Sequence, residues 1–117
     1  MPSSFAGGRL ATVEPVVDDS FEREVLQRPT VLIDCWAPWC APRRALAPVV
    51  DEIAREYAGR LKVVEMNADE NPRTPSRYGV RCIPNLILFQ KGRVKEQIVG
   101  AVPKAELVGA IGTVVPA

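Results

Sequence analysis

Histidine is missing from this 117-residue chain. Its absence removes the side chain that most often serves as a general base near neutral pH, and with it any Cys/His zinc site. An excess of one charge is missing too. Fifteen Lys and Arg face fourteen Asp and Glu, a formal +1. That balance gives no electrostatic reason to expect nucleic acid or an anionic membrane as a partner. No apolar run approaches the ~20 residues that span a bilayer. The opening MPSSFAGGRLATVEP has no basic start followed by an apolar stretch, so it reads as a poor secretion signal. Cysteine is scarce, at three, and irregularly spaced. This suits a reducing compartment better than a stapled secreted fold, and a cytoplasmic protein is expected. Neither a metal nor a cofactor is expected.

What is present fits one globular domain. At this length, 47% hydrophobic residues can build a core without disulfide staples. Residues 1–9, rich in Gly, Ser and Pro, are expected to form a flexible arm, and 10–117 the domain. Segment 10–17 reads as a short edge strand. A capping-box-like start at Asp19 opens a helix, with Phe21 and Val25 on one face, that Pro29 stops. The run VLIDCW at 31–36 is nearly all apolar, as in strands buried on both faces. Segment 41–57 is helical, with Leu46, Val49, Val50, Ile53 and Tyr57 on one stripe; Pro48 should kink it, and Gly59 ends it. A strand follows at 61–66, and 71–78 holds at most a short helix. Strands 85–90 and 94–99 flank a Lys91-Gly92 hairpin turn. A last helix starts at Pro103, with Leu107, Ala110, Ile111 and Val114 on its apolar face. The order β-α-β-α-β-α-β-β-α predicts an α/β layer fold, a central mixed sheet flanked by helices.

The segment DCWAPWCAPR at 34–43 carries the chemistry. Cys40 lies where a buried strand hands over to a helix. Free N–H groups and the positive dipole end concentrate there and favour a thiolate. The competing reading is a small buried hydrophobe, the usual role of a free cysteine. A C-x-x-C pair would place a second thiol at 43, but the chain has Arg43 there. Helical period turns Arg43 toward the apolar stripe, where a charge needs a partner. Asp34, in the buried strand, faces the same need. Either Arg43 pairs with Asp34 beneath the loop, or it extends outward along the surface.

Three stretches, VLIDCWAPWCAP, NADENPRTPSRYGVRCIPNLILFQKG and IVGAVPK, resemble the thioredoxin family, and the similarity covers nearly all of the chain. The resemblance implies the thioredoxin fold and thiol–disulfide exchange. It implies that Cys40 is the attacking thiol and Asp34 a buried acid handling protons below it. Trp39 and Pro42 would shape the loop. Pro84 would follow a cis bond, face Cys40 and align the substrate backbone. An extended peptide strand would lie over Trp39, Ile83 and Ala101. Gly92 and Gly100 match hairpin and strand-end glycines.

The departures bear on mechanism. Arg43 stands where the family has the resolving cysteine, whose thiol releases the product from the mixed disulfide. Ala41 replaces a glycine, Cys35 an aromatic residue, and Asn85 a threonine. Cys82 is an alternative resolving thiol if its Cα comes within about 7 Å of that of Cys40; otherwise it is a surface thiol. Cys35 is expected in the core. The expected function is therefore one-thiol exchange with protein or peptide disulfides, with glutathione or a thioredoxin reductase as further partners, on a monomer that a disulfide could pair. The alternative is a redox-inactive binding module using the Trp39/Ile83-Pro84 surface.

Overall fold

The computed structural model describes residues 13–40, 43–81 and 83–115. The expected arm at 1–9 falls outside them. Strand β1 is Glu14–Pro15, β2 Thr30–Trp36, β3 Lys62–Asn67, β4 Asn85–Gln90 and β5 Arg93–Val99. Helices α1 Arg43–Glu56, α2 Arg73–Arg77 and α3 Lys104–Ile111 lie between and after them. The sheet order is β1-β3-β2-β4-β5. β1, β3 and β2 are mutually parallel, while β4 runs antiparallel to β2 and to β5. This is the mixed sheet expected of the thioredoxin fold.

The period-2 alternation of β2 sorts the core into two faces. Leu32 joins Leu46, Val50, Ile53, Val63, Leu86, Leu88, Leu107 and Ile111 between the sheet and helices α1 and α3. Val31, Ile33 and Cys35 join Val16, Phe21, Val25, Val64, Met66, Ile87 and Phe89 on the other face. Phe21, Tyr78 and Phe89 interlock there, with ring centroids 5.2–5.7 Å apart. Burial on both faces is why β2 is nearly all apolar. The α1 stripe lands as its spacing predicts, with Pro48 exposed inside the helix. At the hairpin, Lys91 and Gly92 both have positive φ, 51° and 80°. Gly92 is required twice over, because a Cβ there would meet the Leu26 carbonyl oxygen at 2.9 Å.

The first helical segment departs from expectation. A 3₁₀ turn, Asp18–Ser20, passes into a π-helical turn, Glu22–Leu26. No helix starts at Asp19. The nearest carboxylate, Asp18, is engaged elsewhere: its oxygens accept the Arg73 and Thr74 N–H groups at 3.0 and 2.8 Å and so cap α2. Phe21 and Val25 are nonetheless buried together. Among the described residues the edge strand is two residues, Glu14–Pro15, and positions 10–12 of the expected span 10–17 lie outside them.

Candidate functional site

Parallel β2 and β3 deliver their C-terminal ends to one pole of the sheet, the pole at which α/β folds build their sites. The antiparallel β4 begins there, with Asn85 opposite Cys35, and β5 ends there, with Val99 opposite Asn85. Four loops therefore share one rim: those after β2, β3 and β5, and the one before β4.

Cys40 sits in the first of these loops. Its N–H donates to the Ala37 carbonyl at 3.0 Å and closes the turn. The side chain lies just under the surface, 6% exposed, and the thiol is free. Trp39 beside it is 66% exposed. Its indole N–H donates to both carboxylate oxygens of Asp69, at 3.2 and 2.9 Å. Asp69 is itself fixed, since its N–H donates to Asn67 Oδ1 at 2.9 Å in the turn after β3. An apolar ring is thus held in water beside the thiol instead of collapsing onto the core.

The loop before β4 and the loop after β5 meet directly. The Ile83–Pro84 peptide is cis. Pro84 is buried, Ile83 half-buried, and the Pro84 carbonyl accepts the Gly100 N–H at 2.8 Å. Gly100 has φ 91°, which turns the chain so that exposed Ala101 follows beside Pro84. Ile83, Pro84 and Ala101 are therefore brought together at the rim, whereas Trp39 is tied toward the β3 side.

Below the rim, Asp34 is buried on the α1/α3 face, in register with Glu65 of β3 and Leu86 of β4. Cys35 points to the opposite face and is fully buried. Burial first, and the neighbouring Asp34 charge second, push its thiol up to about 12. It stays protonated at neutral pH and is no nucleophile. Cys35 is also free, so it forms no bond to Cys40. Among the described residues the molecule offers one thiol at the rim and one inert thiol in the core. The Pro42 position, the Arg43–Asp34 pairing and the Cys40–Cys82 bond fall outside the described residues, since those exclude Pro42, Cys82 and the Arg43 side chain.

The sequence reading missed Asp69. Asp69 is legible only as an acid just past a strand, with nothing to connect it to an indole thirty residues earlier.

Comparison with known proteins bears on this geometry. The Thioredoxin family model matches residues 12–113. Thioredoxin 1 of Nostoc sp. strain PCC 7120 is 50% identical over 99 residues, which is 84% of this chain and 92% of that protein. The thioredoxin of Allochromatium vinosum is 58% identical over 93 residues, 79% of this chain and 87% of its own. The chloroplastic M-type thioredoxin of Pisum sativum is 48% identical over 96 residues, 81% of this chain and 56% of its own.

Proposed function

The chain belongs to the thioredoxin family of thiol–disulfide oxidoreductases, and from that premise we propose that it exchanges disulfides through one attacking thiol, that of Cys40. The observation carrying this reading is a free Cys40 at the rim with Arg43 at the position of the resolving thiol. The Cys40 thiolate attacks one sulfur of a target disulfide. That S–S bond breaks, the departing sulfur takes up a proton, and a mixed disulfide remains on Cys40. A glutathione thiolate then attacks the Cys40 sulfur and frees the target as a thiol, and a second glutathione regenerates Cys40 with oxidised glutathione as product. The target disulfide gains two electrons and two glutathiones lose them. Trp39, Pro42, Ile83, Pro84 and Ala101 would receive the substrate segment, and Asp34 would serve the proton traffic below Cys40. A reducing compartment, the cytoplasm, is the proposed setting.

A second reading is favoured by one specific observation. The Trp39–Asp69 hydrogen bonds hold an exposed apolar surface that needs no thiol chemistry. On that reading the rim is a protein-binding surface without redox turnover.

Non-reducing peptide mapping by mass spectrometry separates the two. The protein is exposed to a peptide disulfide and then to glutathione. Cys40 is expected to retain the peptide until glutathione removes it. A Cys40–Cys82 bond would instead give a two-thiol cycle, and a Cys40 left free throughout would leave the binding surface as the function.

A further inference from the structure

One side-chain amide spans the stems of the loop that carries Ile83 and Pro84. Gln97 lies on β5, on the sheet face that also bears Asn85 and Ile87, its neighbours on β4. Its Nε2 donates to the Tyr78 carbonyl and to Asn85 Oδ1, at 3.2 Å each. A backbone carbonyl can only accept, so the nitrogen of this amide must be the atom facing Tyr78. Tyr78 closes α2, and Asn85 opens β4. Of the residues between them, 79–81, 83 and 84 are described, and Ile83 and Pro84 lie at the rim. Asn85 is 2% exposed, a buried amide that must find partners. Gln97 itself is exposed and touches no residue of the thiol site in the contacts described above.

We propose that Gln97 is a positioning residue, whose amide clamps Tyr78 to Asn85 and so fixes the loop on which Ile83 and Pro84 receive the substrate segment. The inference rests on the thiol-exchange reading and refines it. Substrate affinity at such a loop depends on how much ordering remains to be done when the segment binds. Gly100, the residue after β5, already holds the far stem through its N–H on the Pro84 carbonyl. Gln97 extends that hold to the near stem, so β5 and the residue after it anchor both ends of the loop. The role needs a long primary amide. Leucine offers no donor, and glutamate would set a carboxylate oxygen against the Tyr78 carbonyl. Gln97 is exposed, so each substitution costs the fold no more than the hydrogen bonds it removes.

The test compares wild type, Gln97→Leu and Gln97→Glu at neutral pH. The rate of Cys40 modification is read by mass spectrometry with two probes, a peptide disulfide and the small 2-hydroxyethyl disulfide. Amide hydrogen exchange of residues 79–83 is followed on the same proteins. The expected result is an about three- to tenfold slower reaction of both variants with the peptide, the scale of one or two neutral hydrogen bonds. The small disulfide should react at the wild-type rate, and the loop amides should exchange faster. Unchanged loop exchange overturns the clamp. Faster exchange with an unchanged peptide rate overturns its role in substrate positioning, as does an equal slowing with both probes. A wild-type Cys40 inert toward both disulfides overturns the thiol-exchange reading instead, and the loop exchange then still decides the clamp.

Discussion

Cys35 and Cys40 flank one end of the same strand in opposite surroundings. Alternation buries Cys35 wholly, while the turn after the strand leaves Cys40 at the rim, 6% exposed. A thiol pushed up to about 12 has a defined effect on stability. Below its ordinary value of 9.0 the group is protonated in folded and unfolded chains alike, and its contribution is fully present. Between 9.0 and about 12 the unfolded thiol ionises and the folded one does not, so stability falls as pH rises. Wild type should lose up to ~1.4 kcal/mol per pH unit in that window relative to Cys35→Val. Urea denaturation at several alkaline pH values checks this, and parallel curves for the two proteins would refute it. At this scale the sequence was informative where side-chain alternation decides, as for Cys35 and Asp34. It was silent where a partner comes from another loop or strand, as with Asp69 or Gln97.

Among the elements, the helical stretch before β2 is the instructive case. Its sequence offers two adjacent acids, Asp18 and Asp19, and local spacing favours Asp19 as a cap. The fold spends Asp18 on α2, more than fifty residues away. Burial acts to raise the Asp18 pKa. Hydrogen bonds from Thr74 and Arg73 and the Arg73 charge outweigh it and hold the carboxyl below its usual range. Asp18→Ala should therefore cost about 1 kcal/mol, typical of a lost N-cap. A urea midpoint at neutral pH measures it. The wild-type advantage is present above pH 3.8 and lost as pH falls through the lowered pKa of Asp18. A neutral-pH midpoint equal to wild type would mean that the cap contributes nothing. Elements set by long apolar runs or by turn chemistry, such as β2, β4 and the Lys91-Gly92 hairpin, were legible because local preference and tertiary burial agree. The 3₁₀ and π turns were not, because the distant α2 backbone holds Asp18, the neighbour of the expected cap Asp19.

For the whole molecule, topology does the gathering: loops distant in sequence meet because four strand ends share a pole. If the thiol reading holds, Cys40→Ser should fold normally and lose every partner that wild type retains on a non-reducing gel. Partners still held by Cys40→Ser would shift the function to the Trp39 and Ile83-Pro84 surface. The β2–β4 register that aligns Cys35 with Asn85 was not readable from either strand alone, since each is apolar over most of its length. The tether between Trp39 and Asp69 carries a consequence for measurement. An indole kept in water and leashed one residue from the Cys40 thiol is a built-in optical gauge. Any group that becomes bonded to Cys40 must change the solvent around that ring. Native emission should thus follow loading and unloading of the thiol in real time, with no dye attached.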